Sequence, residues 1–85
     1  MAVKSLRLSF RYWIDQQFVV CLNNQGYEAA LEVGKLYRLV PDEQAAGHGY
    51  LRVIDESGED YAYAADRFLR LELSPQVEET LLTVL

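Results

Sequence analysis

The sequence predicts a small, mainly β domain followed by a short C-terminal α-helix. Three observations carry that expectation. Apolar and polar residues alternate with period two in several short stretches, the pattern of a half-buried strand. Two runs rich in β-formers, Tyr50 to Ile54 and Tyr61 to Tyr63, flank a short polar segment that contains a glycine, which reads as a hairpin. From Ser74 onward the pattern changes to that of a capped helix.

In order along the chain, Leu6, Leu8, Phe10, Tyr12 and Ile14 alternate with Ser5, Arg7, Ser9, Arg11 and Trp13, as an additional N-terminal strand would. A helical reading of the same stretch lines up Leu6, Phe10, Trp13 and Ile14. Phe18 to Leu22 is a short apolar run expected to be buried on both faces, ended by the turn residues Asn23 to Gly26. Tyr27 to Val33 mixes polar and apolar residues and ends at Gly34, which predicts a long, partly ordered loop. Lys35 to Val40 is the next strand, with Tyr37 and Leu39 on one face and Leu36, Arg38 and Val40 on the other. Pro41 stops it, because proline has no N–H to give to a ladder, and Asp42 to Gly49 is expected as a loop.

In the hairpin, Gly58 supplies the residue that takes a positive φ at low cost. Ala64 to Arg67 is expected as one tight helical turn, and Phe68 to Leu73 alternates again as a strand. Ser74 is a good N-cap, Pro75 suits the first helical position, and Glu78 and Glu79 lie near the positive end of the helix dipole. Val77, Leu81, Val84 and Leu85 would form its apolar stripe.

At 85 residues the chain is one domain, with 51% hydrophobic and 25% charged residues, enough for a core and a soluble surface. It divides into an N-terminal extension over 1–17, a β unit over 18–73 and the helix over 75–84. Cys21 stands alone, which rules out an intramolecular disulfide and any paired-cysteine zinc site, and fits a reducing compartment. No apolar run approaches the roughly 20 residues of a membrane span. Residues 1–17 show neither the apolar centre nor the cleavage site of a signal peptide, so the expected location is cytoplasmic. The net charge of −5 is uneven, since Lys4, Arg7 and Arg11 outnumber Asp15 at the start while the remainder is strongly acidic. Non-specific nucleic-acid binding relies on clustered basic side chains, so an acidic body makes nucleic acid an unfavoured partner.

The order of elements resembles an SH3-like small barrel of five strands. Leu31-Glu32-Val33-Gly34-Lys35 is similar to the SH3 stretch that leads from the long loop into the second strand. Ala64 to Phe68 sits where SH3 domains place a helical turn and then a core residue. That resemblance spans residues 18–73 and implies a barrel scaffold for binding. The aromatic slots that grip proline-rich peptides are mostly missing, because the corresponding regions read Cys21 to Asn24, His48 to Tyr50, and Arg67. Gly26 to Ala29, Leu31 to Lys35 and Val53 to Tyr61 also resemble a group of short bacterial proteins with no assigned function.

No catalytic constellation emerges. Cys21 and His48 are the sole thiol–imidazole pair. Cys21 lies in an apolar run, where a thiol is an inert small hydrophobe, and His48 lies between two loop glycines. Asp55, Glu56, Glu59 and Asp60 are too few and too tightly spaced for a calcium loop, and are expected as a solvated turn braced by Asp55 and Ser57. The expectation is therefore a chain with no enzymatic activity, no cofactor and no metal ligands.

The SH3 resemblance implies that Tyr37, Tyr61 and Tyr63 face or border the core. Tyr27 and Tyr50 are expected outside, and together with Arg52 and Arg67 form the candidate protein-binding surface, since tyrosine and arginine anchor interfaces. The first functional reading is a non-catalytic protein-interaction module or accessory subunit with an unidentified protein partner. The alternatives are a nucleic-acid-associated barrel and a small-ligand or metal binder. The N-terminal strand or the C-terminal helix caps its own barrel or packs on a second copy, as a homodimer.

Overall fold

The computed structural model describes residues 18–84. The N-terminal extension, with its expected additional strand, lies outside the described residues, as does Leu85. Five antiparallel strands form one open sheet: β1 (Phe18–Cys21), β2 (Leu36–Val40), β3 (Tyr50–Ile54), β4 (Asp60–Ala64) and β5 (Phe68–Leu71). Their order is β4-β3-β2-β1-β5, so β4 and β5 are the edges. A one-turn helix α1 (Glu43–Gly47) lies between β2 and β3, a 3₁₀ turn (Ala65–Arg67) leads into β5, and α2 (Pro75–Val84) follows the sheet. Among the described residues no helix is long and apolar enough to cross a membrane.

The period-two pattern sorts the two faces. Register places Val19 opposite Tyr37 and Leu51 opposite Tyr63, so these residues share one face. With Cys21, Val53 and Phe68 they form the core, and Leu31 drops in from the 22–35 loop to close it. The opposite face carries Val20, Leu36 and Ile54, all half-buried, and Phe18, which is 0% exposed. Strand β1 is therefore buried on both faces, which its continuous apolar sequence anticipates. Tyr61 borders the core rather than entering it. Register places it opposite Val53 and hence on the core face, yet it sits near the hairpin end of an edge strand and is 51% exposed.

The acidic hairpin turn is more than a solvated cap. Asp55 braces the turn as expected, accepting from the Ser57 N–H at 2.9 Å and from the Ser57 hydroxyl at 2.5 Å. Its second oxygen accepts from the hydroxyl of buried Tyr63 at 2.7 Å. The neighbouring Glu56 accepts from the hydroxyl of buried Tyr37 at 2.6 Å and from the Lys35 ammonium at 2.6 Å. The Tyr37 oxygen in turn accepts from the Glu32 N–H at 2.8 Å, and the Glu56 N–H donates to the Ala30 carbonyl at 2.9 Å. Two core tyrosines thus have their polar ends satisfied by adjacent carboxylates, and the same residues fasten the long loop to the hairpin. Gly58 turns the chain with a φ of 86°.

Segment 42–49 is not a plain loop. Asp42 caps α1 by accepting from the Ala45 N–H at 3.0 Å, and two good helix formers, Ala45 and Ala46, fill the turn. Arg52 on β3 donates to the other Asp42 oxygen at 2.9 Å, which pins α1 to the sheet. Helix α2 begins as its sequence predicts, with the Ser74 hydroxyl accepting from the Val77 N–H at 3.3 Å. Its inward face differs from the expected stripe. Val77 and Val84 are exposed, Leu81 and Leu82 are half-buried, and Glu78 is 3% exposed. Positions 78, 81 and 82 share a face at helical spacing, so the helix is rotated to enclose a carboxylate, and Glu78 is not without a partner.

Two outcomes follow from the tyrosine–carboxylate bonds. Tyr63→Phe keeps the ring but takes the donor from Asp55, and is expected to cost about 1.5–3 kcal/mol in chemical denaturation, the range for a hydrogen bond to a charged group. The second concerns pH. Bonds from Lys35 and Tyr37 hold the Glu56 carboxyl below its ordinary value. Burial opposes charge on Asp55, but its bonds from Ser57 and Tyr63 outweigh that and lower it too. A lowered carboxyl contributes stability that is complete above its unfolded pKa of about 4 and is lost as pH falls through the folded value. The melting temperature is expected to be level from neutral pH to about pH 5, to fall below it, and to fall less steeply in Glu56→Gln.

Candidate functional site

The loop after β1 and the turn before β5 meet at one corner of the sheet. The Leu22 and Asn23 N–H groups both donate to the Arg67 carbonyl, at 2.7 and 3.2 Å, and the Arg67 guanidinium returns a bond to the Asn23 carbonyl at 3.2 Å. A turn follows in which the Tyr27 N–H donates to the Asn24 carbonyl at 2.7 Å, and the Asn24 side chain donates to the Leu31 carbonyl at 2.9 Å. This places the Tyr27 ring under Arg67, whose guanidinium carbon lies 4.7 Å from the ring centre.

Tyr27 also packs edge-on against Tyr63 at 4.9 Å, and Tyr63 packs on Tyr61 at 4.8 Å and on Phe68 at 5.9 Å. Tyr27 and Tyr61 are 6.2 Å apart. The result is a continuous aromatic cluster whose floor, Tyr63 and Phe68, belongs to the core, while Tyr27, Tyr61 and Arg67 form its outer surface. Tyr27 is 37% exposed. Because its floor is held by Asp55, the cluster is backed by a rigid support.

Of the four candidate interface residues, the structure joins Tyr27 and Arg67 and sets Tyr50 and Arg52 apart. On β3, Leu51 and Val53 face the core, so Tyr50 and Arg52 occupy the opposite face of the hairpin. Tyr50 is exposed there, opposite Ala64. Arg52 is committed to carboxylates, bonding Asp42 and lying 3.6 Å from Asp60. Tyr61, expected to face or border the core, lies on the core face at its rim and belongs to the cluster. Its distance from the sheet interior depends on β4 being an edge.

Other chemistry-bearing groups are accounted for. Cys21 is fully buried, and desolvation raises its thiol pKa despite a backbone bond from Asn23 and the charge of Arg67. His48 lies at the C-terminal cap of α1, exposed and on a different element from Cys21. A groove of about 260 Å3 beside β2 is lined by Lys35, Leu36, Arg38, Ile54, Glu56 and Gly58, where Lys35 is already engaged by Glu56. Among the described residues no three His, Cys, Asp or Glu side chains come together as a metal site.

No protein-family model, curated protein or solved structure matches the chain.

Two measurements check this geometry. A water-soluble disulfide reagent is expected to leave Cys21 unmodified in the folded protein and to label it fully once denaturant unfolds the chain. Arg67→Ala removes a partly exposed cation–π contact and one side-chain hydrogen bond. It is expected to lower stability by only about 0.5–1.5 kcal/mol, so the surface can be altered without loss of the fold.

Proposed function

We propose that the protein is a non-catalytic protein-interaction module, an accessory subunit working in a reducing, cytoplasmic setting, whose recognition surface is centred on Tyr27, Tyr61 and Arg67. The observation that carries this reading is the partly exposed Arg67–Tyr27 stack set on an aromatic floor. Interface energy concentrates in tyrosine and arginine anchors whose conformations are fixed before binding, because less rotamer freedom is then lost. Both side chains are held here by the fold, Arg67 through Asn23 and Tyr27 through its turn.

The scaffold is read as an SH3-like small barrel. The strand order, the long loop between β1 and β2 and the 3₁₀ turn before β5 support that layout, while β4 and β5 remain unpaired with each other. The candidate surface is contributed by the long loop, β4 and that turn. A nucleic-acid role draws little support from the basic residues, since Lys35 and Arg52 are neutralised by carboxylates and Arg67 lies beside a tyrosine.

The test is affinity capture from the native cell with three baits: the unaltered chain, a Tyr61→Ala/Arg67→Ala variant and a Tyr50→Ala variant. A stoichiometric protein that survives high salt is expected with the first and third baits and is expected to be lost, by tenfold or more, from the second. Retention on the second bait, or recovery of nucleic acid that salt removes, would count against the reading.

A further inference from the structure

Strand β4 is an edge, and among the described residues no strand pairs with its outer side. The phase of its hydrogen bonding can be read from both ends of the hairpin. At one end the Asp55 N–H donates to the Glu59 carbonyl at 3.1 Å, and at the other the Ala65 N–H donates to the Gly49 carbonyl at 2.9 Å. Both bonds join residues in the same register as the pairs Val53–Tyr61 and Leu51–Tyr63. Bonded and non-bonded pairs alternate in an antiparallel ladder, so Tyr61 and Tyr63 spend their backbone groups on β3. Asp60, Ala62 and Ala64 turn theirs outward.

Natural edges are blunted by lysine, proline, bulges or a covering element. Strand β4, with the sequence Asp-Tyr-Ala-Tyr-Ala, has neither lysine nor proline and runs in unbroken register through all five pairs. Its central Tyr61-Ala62-Tyr63 is symmetric about Ala62. Two copies laid antiparallel with Ala62 on the axis would set Ala62 opposite Ala62 as a bonded pair, Tyr61 opposite Tyr63, and Asp60 opposite Ala64. Each of these pairings is compatible. At the non-bonded positions, where side chains approach most closely, the exposed Tyr61 of each copy meets the rim of the aromatic cluster that covers buried Tyr63 in the other. The outer face presents only alanine methyls near the axis. Asp60 meets no like charge and keeps Arg52 of its own chain beside it.

We propose that the outer edge of β4 is an interface with a second copy of this chain, the two β4 strands pairing antiparallel about a two-fold axis at Ala62 into one continuous sheet. A two-fold contact requires a surface complementary to itself, which this strand supplies and a strand of arbitrary sequence does not. The interface shares Tyr61 with the proposed recognition surface but uses neither Tyr27 nor Arg67, so variants at those two residues tell the two apart. Both copies carry a net charge of −5, so association strengthens as salt screens their repulsion.

The test uses the full chain in sedimentation equilibrium. The expected result is a concentration-dependent doubling of mass, favoured by salt, that Ala62→Pro abolishes while its circular dichroism is unchanged. Proline removes the outward N–H and no β3–β4 bond. In parallel, Ala62→Cys is expected to form a disulfide-linked dimer on mild oxidation, because bonded antiparallel partners lie about 5.5 Å apart at Cα, within disulfide reach. Ala64→Cys alone is expected not to link, but to link in a mixture with Asp60→Cys. A chain that stays monomeric into the millimolar range, or a dimer that persists in Ala62→Pro, would overturn the proposal. If Ala62→Pro fails to fold, the cysteine pairs decide, and linking of Ala64→Cys to itself as readily as Ala62→Cys counts as refutation. A Tyr27→Ala/Arg67→Ala variant is expected to dimerise normally, which separates this interface from the recognition surface.

Discussion

The fold depends on how two buried phenols are satisfied. Tyr37 and Tyr63 supply much of the aromatic volume of a small core, and each must place a hydroxyl where a partner can reach it. Adjacent residues of one turn, Asp55 and Glu56, meet that need. The carboxylates in turn hold both phenols neutral: burial raises their pKa and the neighbouring negative charge raises it further. Such a phenol adds stability that is whole below its unfolded pKa of about 10 and is lost as pH climbs through the higher folded value. Core, hairpin and long loop are thereby joined at one place, with Glu56 also bonding the Ala30 carbonyl through its N–H.

That junction explains how so small a domain can present a defined surface. Tyr63 is held from below by Asp55 and packed above by Tyr27 and Tyr61, so the aromatic cluster rests on a side chain that cannot readily turn. Arg67 is fixed by its own backbone carbonyl, which ties the turn to the end of β1, and by its side-chain bond to Asn23. The proposed recognition surface therefore rests directly on core residues, Tyr63 and Phe68. Substitutions at Tyr63 report on stability, while those at Tyr61 or Arg67 report on the surface.

Acidic residues have three different roles here, which composition alone does not separate. Asp42 caps α1 and receives Arg52, Asp55 and Glu56 serve the core, and Glu78 is enclosed on α2. A net charge of −5 is an argument about solubility and partners, but several of these carboxylates are structural members. The same distinction applies to Arg52, which pairs with carboxylates on the face away from Arg67.

Much of the local structure was legible in the residues. Alternation sorted the faces of β2, the turn residues located the β3–β4 hairpin, and Ser74-Pro75 marked the start of α2, because each signal acts over a few neighbouring positions. Helix α1 was missed because one turn is too short for a periodic signal, and Asp42 reads equally well as a loop residue. Three features required the folded chain. The rotation of α2 toward Glu78 depends on what packs against the helix, the exposure of Tyr61 on β4 being an edge, and the Arg67–Tyr27 stack on two loops meeting. Sequence pattern determined which way side chains point along an element, since that parity is a property of the backbone. Only the tertiary structure decided which elements end up side by side and which lie at the rim, because those depend on contacts between residues far apart in the chain.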